Sequence, residues 1–372
     1  MWEGCDLWAW IRLLGRNRVA ISPRYWYVAA TVTYVGAWHW ALRQFQDAWL
    51  GERPERTPLV HEPLFIVGHW RTGTTLLHEL LILDERHTCP NTYQCLCPSH
   101  FLISERLFTR LFRWILPSRR PMDNMPFGWD RPQEDEFAMC LLGQPSPYES
   151  IAFPNRQWLD EAALRVDGLP PGPRRAWKRA LVRFLRQVSF KDPRRLVLKS
   201  PTHSFRIPTL LELFPDARFV HIVRDPHVVF PSTINLWTSL YRTHGLQTPT
   251  FAGLEEHVLE TFVQLYERLE EGRRHVAAGR WHELRYEDLV ADPVGQVRRL
   301  YDALVLGGFE RVRSRVEQFQ ASRAGYTTNR YPILSPRQRA AIADRWGAII
   351  RRYGYDRPQQ TPVPPTPARA TG

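Results

Sequence analysis

The sequence predicts an α/β fold: a P-loop-containing three-layer sandwich with a mostly parallel central sheet, preceded by a helical N-terminal extension. Three observations predict it. Leu64-Phe65-Ile66-Val67 is a short apolar run entering a glycine turn, and Thr74 to Leu83 follows with apolar residues at helical spacing, giving strand, loop and helix. A strand, helix and strand recur at Arg195 to Leu198, Ser204 to Leu213 and Arg218 to Val223. Two such units imply parallel strands covered on both faces, with ligands at the carboxyl ends of the strands, where the polar residues of interest gather.

Residues 1–57 read as the helical extension, closed by the polar stretch Gly51 to Pro58. One domain then runs over 58–356. Within it, residues 88–148 are rich in proline, aromatics and carboxylates, with amphipathic segments near Leu102 to Leu116 and Gln133 to Leu142. We read this stretch as an insertion forming an acceptor pocket. Residues 167–175 form a Gly/Pro-rich turn, and Ala176 to Phe190 is an amphipathic helix. After Phe230 the chain reads as helical, apart from a short strand at His282 to Arg285, and the last helix spans Pro336 to Tyr353. The proline-dense tail, 357–372, is too poor in apolar residues to pack and is expected to be disordered.

A formal charge of +12 predicts attraction to anions, yet Lys and Arg are scattered without long runs, which argues against a nucleic-acid partner and for a compact anion site. Cys5, Cys89, Cys95, Cys97 and Cys140 are odd in number and lack paired CxxC spacing, so a reducing, cytoplasmic setting with no bound metal is expected. The N-terminus lacks the pattern of a secretory signal. Residues 26–42 are mostly apolar, but Thr31, Thr33, Gly36 and His39 interrupt a run already short for a membrane span. Its aromatics (Trp26, Tyr27, Tyr34, Trp38 and Trp40) suit either a buried helix or an interfacial helix in peripheral contact with a membrane. No signal for an oligomeric state stands out.

Gly68-His69-Trp70-Arg71-Thr72-Gly73-Thr74-Thr75 has the Gly-x4-Gly spacing of a phosphate loop, between a strand and a helix. Main-chain N–H groups there converge on one point, and the helix dipole adds positive potential, so the backbone can hold an anion. A nucleotide triphosphatase has lysine after the second glycine; here position 74 is threonine and the nearby cation is Arg71. That favours a ligand with a single 5′-phosphate bearing a sulfuryl group, such as 3′-phosphoadenosine 5′-phosphosulfate (PAPS), over ATP with magnesium.

The run from Phe65 to Leu77 resembles the 5′-phosphosulfate loop of the PAPS-dependent sulfotransferases, closest to the bacterial branch related to tyrosylprotein sulfotransferases. Phe219 to Asp225, with Ser232 beyond, resembles their 3′-phosphate-binding strand, turn and helix. Arg224 supplies a bidentate fork and Ser232 a neutral hydrogen bond to one phosphate. The resemblance implies sulfuryl transfer from PAPS to a hydroxyl, adenosine 3′,5′-bisphosphate as product, no metal requirement, and a late loop, Thr327 to Tyr331 with Arg330, closing over the 3′-phosphate. Two other readings compete: a P-loop nucleotide kinase, and a non-catalytic nucleotide- or glycan-binding protein.

Only Lys178, Lys191 and Lys199 are lysines, so Lys199 at the end of a strand is compositionally unusual. With Arg71 it is placed to stabilise charge on the leaving phosphate and the equatorial oxygens of the transferring group. A base must take the acceptor's proton. Glu134 is the first candidate and Glu136 the second, from the acidic block Glu134-Asp135-Glu136; His78 and His100 also compete, and His203 is a candidate acceptor contact. A helical reading puts Glu134 and Phe137 on one face, with Glu136 and Cys140 on another. In tyrosylprotein relatives the base is a glutamate about twenty residues after the loop arginine; Gln94 lies near that position here and cannot accept a proton. Tyr286 and its acidic neighbours read as structural. The acceptor class stays open among a phenol, a lipid, a sugar and a peptide tyrosine.

Overall fold

Leu64 to Val67 is apolar at every position because both faces of its strand are covered. In the computed structural model, which describes residues 1–112, 128–156, 161–323 and 333–356, this strand is the centre of a five-stranded sheet. The strands are β1 (Leu64–Val67), β2 (His87–Thr88), β3 (Arg195–Lys199), β4 (Arg218–Val223) and β5 (Trp281–Arg285). Their order is β2-β3-β1-β4-β5, and every pairing is parallel. Phe65 and Val67 point into one apolar core with Leu196, Leu198 and Phe219, while Leu64 and Ile66 join Val197, Val220 and Ile222 in a second core on the other face. Burying each such side chain contributes about 1.5–3 kcal/mol.

The described helices are α1 (Leu7–Arg16), α2 (Trp26–Leu50), α3 (Thr74–Ile82), α4 (Thr92–Leu96), α5 (Phe101–Leu111), α6 (Asp135–Leu141), α7 (Glu161–Arg165), α8 (Pro171–Lys191), α9 (Ile207–Leu213), α10 (Pro226–His244), α11 (Leu254–Arg273), α12 (Tyr286–Ala291), α13 (Pro293–Ala303), α14 (Glu310–Ser322) and α15 (Pro336–Arg352). The first two belong to the larger core through Trp10, Leu13 and Val32. The Trp10 indole donates to Thr33 Oγ1 at 2.9 Å, and Gln46 of α2 ties into the insertion by donating to Ser99 O at 3.2 Å.

Helix α9 starts at Ile207 and not at Ser204, α6 spans Asp135–Leu141 within the expected Gln133 to Leu142, and two further boundaries differ for a clear physical reason. The turn expected over 167–175 is shorter, because α8 starts at Pro171: Pro171 and Pro173 lie in the first turn, where a missing N–H costs the helix nothing. The apolar run of 26–42 continues as helix to Leu50 and stops at Gly51, whose φ of +56° ends it. No helix among the described residues is long and apolar enough to cross a membrane. The proposed tail, 357–372, and the late loop with Arg330 lie outside the described residues.

Candidate active site

The strand order brings the candidate residues to one edge of the sheet. β3 ends in Lys199, β1 runs into Gly68, β4 delivers Arg224, and β5 leads into Tyr286. Neighbouring strands lie about 4.8 Å apart, so the ends of β3 and β4 flank the loop with roughly 10 Å between them.

Within the loop, two glycines are required by space. A Cβ on Gly68 would meet the Ile222 carbonyl oxygen at 2.6 Å, and one on Gly73 would meet the Tyr286 ring at 2.3 Å. Gly73 also has φ +98°, and Arg71 itself sits at φ +72°, a left-handed conformation unusual for a side-chain-bearing residue. Ser204 fastens the loop's start: its hydroxyl accepts from Gly68 N at 2.9 Å and donates to Gly68 O at 3.2 Å. Thr72 Oγ1 donates back to His69 O at 2.7 Å. The side chains of His69 and Trp70 turn into the core, against Phe262 and Trp237 respectively, so these two residues face a ligand with backbone only. Burial lowers the His69 imidazole to about 4 and keeps it neutral. Thr74 and Thr75 open α3, whose first N–H groups have no partner within the helix.

Arg71, Arg224 and Ser232 form one cluster. Arg71 Nε donates to Ser232 Oγ at 2.9 Å, and an Arg224 guanidinium nitrogen donates to the Arg71 carbonyl at 3.1 Å. The Arg224 guanidinium lies 4.2 Å from the centroid of the Tyr286 ring, a cation–π contact that holds it beside the loop. Arg71 is thus drawn to the Ser232 end of the site, not paired with Lys199, and Tyr286 supports both Gly73 and Arg224.

Lys199 meets Glu134 at the other end. The ammonium, 1% exposed, donates to Glu134 Oε1 at 2.8 Å, and the Tyr148 hydroxyl donates to Glu134 Oε2 at 2.6 Å. Trp70 Nε1 donates in turn to the Tyr148 oxygen at 3.1 Å. Glu134 precedes the first residue of α6 and so stands off the helix, which is why it and its two neighbours diverge. Asp135 accepts from Ser200 Oγ at 2.9 Å and lies 3.0 Å from His203 Nε2. Glu136 is fully buried, accepts from Ser146 at 2.6 Å and Thr202 at 2.8 Å, and is ion-paired with the equally buried Arg206.

These contacts sort the candidate bases. Glu136 is corrected to a structural role, since its carboxylate is spent on a buried ion pair. His78 Nε2 donates to Val197 O at 3.1 Å, tying α3 to β3 under the sheet. His100 lies between His39 Nδ1 at 2.9 Å and Ser104 Oγ at 2.7 Å. His203 is buried against Asp135 and is no acceptor contact. Gln94 belongs to the capping box that opens α4. Glu134 alone pairs with the strand-end lysine. Sequence reasoning missed Tyr148, Ser204 and Arg206, whose roles arise from contacts 14, 136 and 70 residues apart in the chain.

The arrangement can hold an anion on main-chain amides between two basic poles, one of them next to a carboxylate able to take a proton. That fits a donor phosphorylated at both ends of an adenosine, with the reacting group toward Lys199. One further cluster lies apart: His39, Cys97 and His100 bring potential metal-ligand atoms within 4.8 Å of one another, while the two imidazoles hydrogen-bond each other.

A model described as the sulfotransferase family matches residues 63–310. Two relatives, each named omega-hydroxy-beta-dihydromenaquinone-9 sulfotransferase Stf3, from Mycobacterium bovis and Mycobacterium tuberculosis, are 50% identical over 98% of this chain and 93% of theirs. The crystal structure of sulfotransferase STF9 from Mycobacterium avium matches with a TM-score of 0.65 at 20% identity, covering 88% of this chain and 86% of its own. That of STF1 from Mycobacterium tuberculosis H37Rv matches at 0.60 and 18%, covering 93% and 94%. At such identities these two structures speak for the α/β fold alone.

Proposed function

Since the chain belongs to the sulfotransferase family and moves a sulfuryl group to an acceptor hydroxyl, we propose that its acceptor is a hydroxylated isoprenoid quinone, an ω-hydroxy-dihydromenaquinone. The observation that carries this is the 50% identity over nearly the full length to proteins named for that acceptor. The family implies PAPS as the donor. A P-loop kinase and a non-catalytic binding protein are not favoured by a match of this extent.

In this reading the donor supplies the sulfuryl group and leaves as adenosine 3′,5′-bisphosphate. The amides of Gly68 to Thr75 hold the 5′-phosphate, and Arg224, Ser232 and Arg71 hold the 3′-phosphate. Arg71 is moved to that end because its guanidinium sits on Ser232. Arg330 remains a proposed ligand of the same phosphate. Lys199 neutralises charge on the group in transfer, and Glu134 takes the proton of the attacking hydroxyl.

Residues 1–57 are proposed as a membrane-facing extension and 88–148 as the wall of the acceptor pocket. Support for peripheral contact comes from α2. Tyr27, Tyr34, Trp38, Leu42, Phe45 and Trp49 recur at helical spacing and are all exposed, while Ala29, Val32, Gly36 and His39 of the opposite face are buried. Aromatics of this kind settle at a bilayer interface, and a chain of net charge +12 is attracted to anionic lipid.

The test is labelled sulfate transfer from PAPS to competing acceptors: an ω-hydroxylated dihydromenaquinone in vesicles, a tyrosine peptide, a phenol and a sugar. The lipid should take the label at least tenfold faster than the others. Faster labelling of any other acceptor contradicts the proposal.

A further inference from the structure

Both carboxylate oxygens of Glu134 are engaged, and by different elements. Lys199 reaches Oε1 from the end of β3, and Tyr148 reaches Oε2 from the turn Pro147–Ile151. That turn is itself anchored. Ser146 accepts from Tyr148 N at 3.2 Å while donating to Glu136, whose other oxygen is held by Thr202 and Arg206. The Tyr148 ring packs on Phe137 and Trp237, and its hydroxyl accepts from Trp70 of the phosphate loop. A continuous path of hydrogen bonds therefore runs from the donor loop through Trp70 and Tyr148 to Glu134 and Lys199.

We infer that Tyr148 is a positioning residue, which fixes Glu134 relative to the donor loop so that its other oxygen can serve as the base. This rests on the reading of Glu134 given above. Lys199 is also the group that neutralises charge on the sulfuryl in transfer, so as its ammonium turns toward that group it gives up Oε1, leaving that oxygen open to the acceptor's proton. Tyr148 is the group that then keeps the carboxylate in place, because its hydrogen bond is to the other oxygen. The proton passes from the acceptor hydroxyl to Oε1, the acceptor oxygen forms its bond to sulfur as the bond from sulfur to the 5′-phosphate oxygen breaks, and the leaving phosphate keeps that electron pair. Burial, with the Glu134 charge second, raises the Tyr148 phenol well above its usual range, so it stays a donor throughout.

The experiment compares full-length wild type with Tyr148→Phe and Glu134→Gln, using PAPS turnover with kcat and KM read separately, and calorimetric affinity for adenosine 3′,5′-bisphosphate. Tyr148→Phe should lower kcat about tenfold, a part of what a general base supplies. Bisphosphate affinity and the KM for PAPS should stay within about twofold, because the donor loop keeps its amides and the interaction lost acts at the transfer step. Unchanged kcat, or a loss shared with KM and bisphosphate affinity as a merely structural role would give, would overturn the positioning role while leaving Glu134 as base, provided Glu134→Gln is inactive. Full activity in Glu134→Gln overturns the base itself and this inference with it. Phe keeps the ring packing; should Tyr148→Phe nevertheless fail to fold, Trp70→Phe tests the same path, with a smaller loss of kcat expected and no loss counting against it.

Discussion

Glu134, Asp135 and Glu136 adjoin in sequence and serve three different partners: Lys199 with Tyr148, Ser200 with His203, and Arg206 with Ser146 and Thr202. Glu136→Gln would leave the Arg206 guanidinium buried without its counter-charge, so it should destabilise the fold by about 3 kcal/mol, readable as a lower urea midpoint. Glu134→Gln takes the counter-charge from the buried Lys199 ammonium, so it should cost activity and some stability, though less than Glu136→Gln because Glu134 itself is partly exposed. Gly73→Ala drives a Cβ into the Tyr286 ring at 2.3 Å; the loop must shift, and bisphosphate affinity should fall by at least about tenfold while the far side of the sheet keeps its melting behaviour. At this scale the sequence was partly readable. Lys199 stood out because lysine is scarce, and the glycine spacing marked the loop. Arg206 could not be read as the partner of Glu136, because a contact across 70 residues leaves no local pattern.

Helix α2 sorts its residues by face, with His39 buried toward His100 and Tyr34, Trp38 and Trp49 directed to solvent. Replacing those three exposed aromatics with serine should weaken binding to anionic vesicles about a hundredfold in a flotation assay, with bisphosphate affinity unchanged. Binding that is unaffected would assign the stripe to something other than a bilayer. The elements themselves were legible wherever periodicity was strong: β1, β3, β4 and α3 lie where apolar spacing puts them. The start of α8 was not, because Pro171 and Pro173 read as a turn in isolation, and only the following apolar face shows that they open a helix. Of the two readings of residues 26–42, the buried helix holds for one face, while the other face is aromatic and exposed, the pattern that the interfacial reading requires.

Across the whole molecule, burial lowers His39, His69, His244 and His257 to about 4 and His100 to about 3, from an ordinary 6.5. The unfolded chain takes up a proton at each near pH 6.5, while the folded chain does so only near pH 4 or below. Stability is therefore full above pH 6.5 and drains away as pH falls from there toward 4, by about 3 kcal/mol for each imidazole. Thermal melts across that window should show a falling Tm, and a flat profile would contradict the burial of these imidazoles. The parallel topology was readable because two βαβ units leave few arrangements open, whereas the order β2-β3-β1-β4-β5, which sets Lys199 and Arg224 on opposite sides of the loop, depends on long-range pairing that no local motif encodes. That two-sided grip is the central claim, and titration calorimetry tests it most directly. Adenosine 3′,5′-bisphosphate should bind about a hundredfold tighter than AMP to the wild type, and Arg224→Ala should erase most of the difference. Equal affinity for the two nucleotides in the wild type would contradict the account.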